Sequence, residues 1–377
     1  MSTRVRSYSK INLGLAIGPV RNDGFHGLVT LYQTLDLHDL VTVTARPAVE
    51  TKISLTTNHP FVPRDGRNTA WKMVEKTLAR LGVKAEVAID INKRLPVQGG
   101  MGAGSANAAA ALIGLEKELG VALPEEERLQ VAAEVGSDVP LFLVGGAVAG
   151  TGRGEVVEAE LDMPRTCCLV VVPAVGVSTP AAFKAWDLLR AAEMAEAGEP
   201  MSQRQDMGHP GVEGGLTFSA KPDRFKQLSL AYASLAVKTA DGKSGTSGIV
   251  RDSSPEKETG LPALNDPAEN ALLALVRTGI GSDGASSLEN DFEEVVFPQY
   301  PSLRTIKREL MGTDTGSAAW YAALSGSGSA LFGLYGSEAD AKAAQRRVQS
   351  ADVGVQVQTF LTETLPRTDY WARMFAE

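Results

Sequence analysis

Apolar and small or polar residues alternate over residues 4–18, with Ile11, Leu13, Leu15 and Ile17 on one face and Asn12, Gly14 and Ala16 on the other. A period of two predicts a strand. The turn signal Asn22-Asp-Gly24 follows, and β-like alternation resumes over residues 28–44. Residues 69–81 place Met73, Leu78 and Leu81 at helical spacing. Val87, Ile89 and Ile91 alternate with Glu86, Ala88 and Asp90 and predict another strand. Residues 108–119 favour helix, with Leu112, Leu115 and Leu119 in phase and Gly120 as the stop. A helix over 125–135 closes at Gly136, and 144–149 with 156–161 reads as a hairpin about Gly152-Arg-Gly154.

The second half opens with an apolar strand at 167–172 and a helix over 181–197. Residues 198–262 lose this patterning and read as an insertion, partly disordered, whose apolar stretch 225–237 is expected to dock as a helix. Pattern returns at 267–277 and 290–311, followed by a loop feeding a strand over 324–335, a helix over 339–348 and a strand over 353–360. Helix, strand, helix, strand predicts an α+β layer sandwich. A chain of 377 residues with 44% hydrophobic content predicts two domains, divided at 1–163 and 164–377.

Between the 87–91 strand and the 108–119 helix lies Leu95-Pro-Val-Gln-Gly-Gly-Met-Gly-Ala-Gly-Ser-Ala-Asn-Ala-Ala109. Gly99, Gly100, Gly102 and Gly104 allow close backbone approach and positive φ. The helix that follows adds the positive end of its dipole, so the segment has the makings of a phosphate cradle. No Gly-Lys-Ser/Thr follows, and Gly99-x-x-Gly102-x-Gly104 lacks the dinucleotide spacing. A turn that serves only helix–strand packing is the alternative.

A net charge of −8 argues against a nucleic-acid footprint, and no apolar run reaches transmembrane length or signal-peptide form. The adjacent Cys167 and Cys168 sit in an apolar run and are expected to act as small hydrophobes in a reduced, cytoplasmic protein. The four histidines show no metal-ligand spacing.

Three blocks together resemble the GHMP kinase superfamily: Ser9-Lys-Ile-Asn-Leu13, the glycine loop, and Leu324-Ser-Gly-Ser-Gly-Ser-Ala-Leu-Phe332. Asp23-Gly-Phe-His26, Gly136-Ser-Asp-Val-Pro-Leu-Phe142, Gly152-Arg-Gly-Glu155 and Val177-Ser-Thr-Pro180 are similar to the branch that phosphorylates the 2-hydroxyl of CDP-methylerythritol. Gln98, Ala103, Ala106 and Phe25 depart from the family pattern, standing for two glycines, a serine and a tyrosine. The resemblance implies an α+β two-domain GHMP kinase fold, with a ribosomal protein S5 domain 2-like N-terminal domain and a ferredoxin-like C-terminal domain. It implies ATP and Mg²⁺, a small-molecule substrate, and a monomer or weak homodimer with no nucleic-acid or membrane partner. Homoserine or mevalonate kinases, and a catalytically silent nucleotide-binding paralogue, are the alternatives.

Residue by residue, the resemblance implies ATP contacts at Pro96, Gln98, Gly99, Gly100, Met101, Gly102, Ala103, Gly104, Ser105 and Ala106. Asp138 is expected to face the substrate hydroxyl, or alternatively to cap the next helix. Lys10 is expected beside it, screening the moving phosphoryl group. Ser105 is read either as a ligand of Mg²⁺ or phosphate, or as a helix N-cap. Phe25 and His26 are implied for the cytosine ring, with Pro180 and Phe183 closing its other face. Asn12, Asn107 and Gly326 complete the substrate set.

Overall fold

The computed structural model describes residues 2–97, 99–196, 271–278 and 288–377. The expected insertion at 198–262 and Gln98 lie outside the described residues. The chain opens with a long hairpin of β1 (Thr3–Val20) and β2 (His26–Pro47), turned by Gly24 at φ 80°. After β3 (Lys52–Thr57) and α1 (Thr69–Leu81), β4 (Ala85–Asn92) pairs antiparallel with β2 and parallel with β3. Helix α2 (Ala103–Leu119) lies on this sheet. Its run of small residues is a packing requirement, because a Cβ on Gly114 would stand 2.7 Å from Val43. Ala110, Ala111 and Leu115 can therefore settle against Val5, Val43 and Ile89.

Helix α3 (Glu125–Val135) and the helical turn α4 (Leu141–Val144) lead to β5 (Ala147–Thr151), which pairs with the outer half of β2, and to β6 (Val156–Ala159). Val144, expected in the hairpin, is helical.

A second sheet holds β7 (Cys167–Pro173), β8 (Tyr321–Leu324), β9 (Leu331–Tyr335) and β10 (Val357–Glu363) in the order β10-β7-β9-β8, antiparallel throughout. That is the expected ferredoxin-like order. Around it stand α5 (Thr179–Glu196), α6 (Ala271–Thr278), α7 (Phe292–Gln299), α8 (Pro301–Met311) and α9 (Glu338–Ser350). The single apolar stretch 290–311 is two helices because Pro301, at the first position of α8, cannot continue α7. Strand β10 begins at Val357 rather than 353.

The two sheets share one core. Ile11, Leu13 and Leu31 cluster with Val170, Ala323 and Phe332. Both faces of β1 are consequently buried from Ser7 to Ile17, including Asn12 on the face expected to be polar. The tail corrects the expected boundary at 163/164. After β10 the chain forms α10 (Arg367–Ala372) and β11 (Phe375–Ala376), and β11 pairs with β1. Tyr370 and Met374 pack with Tyr8 and Leu365 in the core of the first sheet.

Candidate active site

A cavity of about 880 Å³ opens where the β1–β2 hairpin, the glycine loop, the Gly136–Pro140 turn, the start of α5 and the 325–329 loop converge. Lys10 and Asp138 stand at one end of it. Lys10 is almost wholly buried, and its ammonium lies 3.3 Å from Asp138 Oδ2 and donates to Asn12 Oδ1 at 2.6 Å. Asn12 in turn donates to Thr30 Oγ1, which donates to the carbonyl of Gly14, so the lysine is held by a fully bonded chain across β1 and β2. A buried cation needs such partners. The other carboxylate oxygen, Oδ1 of Asp138, accepts the hydroxyl of Tyr32 at 3.1 Å. Asp138 caps nothing, since α4 starts after Pro140 without a side-chain cap.

The glycine loop meets the 325–329 loop here. Gly100 has φ 79°, and a Cβ on it would stand 2.1 Å from the carbonyl oxygen of Ser325. The Ser325 hydroxyl donates to the Gly100 carbonyl and the Ala330 N–H to that of Gly99. Gly102, at φ 70°, is the N-cap of α2, which begins five residues earlier than its sequence pattern suggested. This corrects Ser105, which is the third residue of the helix and not its cap. It also corrects Ala106, whose N–H is committed to the Gly102 carbonyl and whose side chain is in the core. Ala103, Gly104 and Ser105 form the first turn, where N–H groups lack intrahelical acceptors and can receive an anion. Met101 is buried in the core, with its carbonyl accepting the Lys10 N–H. Pro96 lines a neighbouring cavity of about 680 Å³ beside Val172–Gly176.

Asn107 does not reach the cavity. It is buried, donates to Ser7 Oγ and to Asp39 Oδ2, and accepts from Lys93. Asp39 is the centre of that cluster: it pairs with Lys93 and accepts the N–H groups of Arg94 and Leu95, which pins the entry to the glycine loop. Asn290 acts similarly on the other loop, donating to the carbonyls of Leu324 and Gly326. Sequence reading missed Tyr32, Asp39 and Asn290. Tyr32 is a polar-tipped residue within an apolar stretch, which is the one signal that marks it, whereas Asp39 and Asn290 lie among other polar residues and carry no such mark.

At the far end, Phe25 closes the hairpin turn and His26 begins β2. Helix α5 brings Pro180, Phe183 and Asp187 to the same wall. His26 and Phe183 stack at 5.2 Å with 7° between planes, and Phe183 meets Phe292 edge-on at 5.0 Å. The imidazole is pinned by the Gly18 carbonyl at Nδ1 and by Asp187 at Nε2, 3.0 Å away. At 5.2 Å the two rings already touch, so no base enters between them. Phe25, 55% exposed, stands outside this stack. Gly326 joins this cavity next to Asn12 and Lys10.

Among the described residues no group of three histidine, cysteine or acidic side chains is placed to hold a metal ion, and no helix is long and apolar enough to cross a membrane. The Ser105 hydroxyl makes no hydrogen bond among the described residues and stands in the first turn of α2. One hydroxyl without a protein cage suits Mg²⁺, which keeps its waters and takes charge from phosphates. Cys168 is fully buried, and burial pushes its thiol well above the ordinary range.

Residues 68–146 match the GHMP kinases N terminal domain and residues 270–353 the GHMP kinases C terminal domain. Relatives include the 4-diphosphocytidyl-2-C-methyl-D-erythritol kinases of Corynebacterium glutamicum strain R (41% identical over 50% of this chain and 63% of the relative) and Rhodococcus jostii (42%, over 50% and 60%). That of Leifsonia xyli is 35% identical over 57% of this chain and 69% of its own length. The chain thus spans about three fifths of the first two relatives. A crystal structure of 4-(cytidine 5'-diphospho)-2C-methyl-D-erythritol kinase aligns with TM-score 0.59 at 23% identity, covering 96% of this chain and 99% of that one. Homoserine kinase from Cytophaga hutchinsonii aligns with TM-score 0.60 at 16% identity, covering 96% and 95%. These structures share the fold.

Proposed function

The chain belongs to the 4-diphosphocytidyl-2-C-methyl-D-erythritol kinase family of the GHMP kinases, and from that premise we propose that it transfers the γ-phosphoryl group of ATP to the 2-hydroxyl of 4-diphosphocytidyl-2-C-methyl-D-erythritol. The observation that carries this reading is the shared cavity. It has an ion-paired lysine and carboxylate at one end and an aromatic wall with a pinned histidine at the other.

In this reading the first turn of α2 and the backbone of Gly99–Gly102 receive the ATP phosphates. The Ser105 hydroxyl would hold Mg²⁺, which would supply charge neutralisation at the phosphates. Phosphoryl transfer of this kind demands positioning and charge compensation more than covalent help. Asp138, held on both oxygens, orients the attacking hydroxyl and takes its proton late, when bond formation to phosphorus has acidified it. The Lys10 ammonium compensates charge on the transferring group. Phe25 stacks on cytosine, and the His26 strand presents polar groups to its edge.

The base-binding end separates this reading from a homoserine or mevalonate kinase, whose substrates carry no aromatic ring. ADP release by the full chain, measured with CDP-methylerythritol, homoserine and mevalonate in turn, tests it. Turnover is expected with the first alone. Comparable turnover with either of the others would assign the cavity to a different acceptor.

A further inference from the structure

The cavity's two ends are joined by one turn, Thr151–Glu155, between β5 and β6. Its first glycine accepts the Leu28 N–H, which docks the turn beside the strand that begins at His26, next to Phe25. Its second glycine lies against Tyr32, so closely that a Cβ would stand 2.5 Å from the Tyr32 hydroxyl, the same hydroxyl that bonds Asp138. Arg153, between these glycines, lines the same cavity as Phe25 and Asp138.

The guanidinium is fixed from two sides. It lies over the Phe25 ring at 5.0 Å, and Nε donates to Glu155 Oε1 at 3.3 Å. Glu155 also accepts the Arg153 N–H, which locks the turn. Nη1 and Nη2 donate to no protein acceptor among the described residues. An arginine anchored through Nε, with both terminal nitrogens free and facing a cavity, presents the fork that matches phosphate oxygens in pairs.

We infer that Arg153 binds the diphosphate that links nucleoside and polyol in the substrate, and so is a specificity-determining residue for a pyrophosphate-bridged acceptor. The inference rests on the cytidine-diphosphate reading of the site. A base stacked on Phe25 and a hydroxyl at Asp138 require the linker to cross this turn. The linker is anionic, and Lys10 is already committed to Asn12 and Asp138. Fixing the guanidinium beforehand lowers the ordering cost of capturing it.

Titration calorimetry of the full chain with cytidine and with CDP tests this. The wild type is expected to prefer CDP, and Arg153→Gln to lose about 10- to 100-fold of that preference, as removal of a charged hydrogen-bonded pair does. Its affinity for cytidine should stay within about twofold, since Phe25 and His26 remain. Arg153→Lys keeps the charge without the fork and should recover part of the preference. An undiminished preference in Arg153→Gln, or a lysine variant that recovers nothing, would overturn the inference and leave the cytidine reading standing. Parallel loss of both ligands would also overturn it, making Arg153 a prop for the Phe25 turn. A wild type that binds cytidine and CDP equally would refute the arginine's role alone. One that binds neither would refute the cytidine reading itself.

Discussion

The hydroxyl of Tyr32 donates to one oxygen of Asp138 at 3.1 Å while the Lys10 ammonium approaches the other at 3.3 Å. The carboxylate is therefore restrained in rotation as well as in position. Tyr32 is buried and seated between Gly150 and Gly154, where any Cβ would come within 2.6 Å of its ring or hydroxyl.

Tyr32→Phe removes that restraint and leaves the ring in place. A hydrogen bond to a charged group contributes about 1.5–3 kcal/mol. If half or more of it is expressed in the transition state, kcat falls roughly tenfold. KM for ATP should stay within about twofold, because the phosphate loop is untouched. Steady-state kinetics on both substrates checks this, and an unchanged kcat would deny Tyr32 a positioning role.

Two glycines of one loop should respond in opposite ways. Gly100→Ala drives a Cβ into the Ser325 carbonyl at 2.1 Å on a backbone of φ 79°, and the neighbour is backbone that cannot swing aside. Gly104 is helical, and a Cβ there meets only the Thr69 hydroxyl at 3.6 Å. Thermal melts should show Gly100→Ala destabilised by several degrees. Gly104→Ala should be neutral or gain up to about 1 kcal/mol from helix propensity. Equal melting temperatures for the pair would contradict the close contact between the two loops.

Most strands and helices were legible because their period of two or 3.6 is carried by single faces. Strand β3 was not: Lys52–Thr57 offers only Ile53 and Leu55, and its partner β4 is found across an intervening helix. The tail was not, because Tyr370 and Met374 are buried against β1, more than 360 residues away in sequence. The Lys10–Asp138 pair and the Phe25, His26 and Phe183 wall were reached by motif. Asn107 was misplaced because a small polar residue after a glycine loop does not reveal which way the helix turns it. Asp39 and Tyr32 act through partners 55 and 106 positions distant, and no local pattern encodes those distances.

Glu160 makes stability depend on pH. It is 4% exposed, its Oε2 has no hydrogen-bond partner among the described residues, and burial with Glu158 nearby pushes its carboxyl up from 4.5 to about 7, against the pull of Arg367. Below the unfolded value both states are protonated. Between 4.5 and about 7 the unfolded chain releases the proton and the folded chain retains it, so stability falls as pH rises through that window. The loss from this group is on the order of 3 kcal/mol at most. Urea unfolding at pH 5 and pH 8 should show Glu160→Gln losing less stability across the interval than the wild type. Identical losses would place the Glu160 carboxyl near its ordinary value.

In the proposed reaction Asp138 is the group that faces the acceptor hydroxyl. The most direct measurement is phosphorus NMR of the full chain and of Asp138→Asn with ATP, Mg²⁺ and CDP-methylerythritol, alongside titration of each with ATP. The wild type should form ADP and a new phosphomonoester on the methylerythritol unit. Asp138→Asn keeps the Tyr32 hydrogen bond and should bind ATP within about threefold of wild type, while turnover falls by roughly 10²–10⁴, the usual range for loss of acid–base assistance. A variant that forms the phosphomonoester at the wild-type rate, or a folded wild type that forms none, would contradict it.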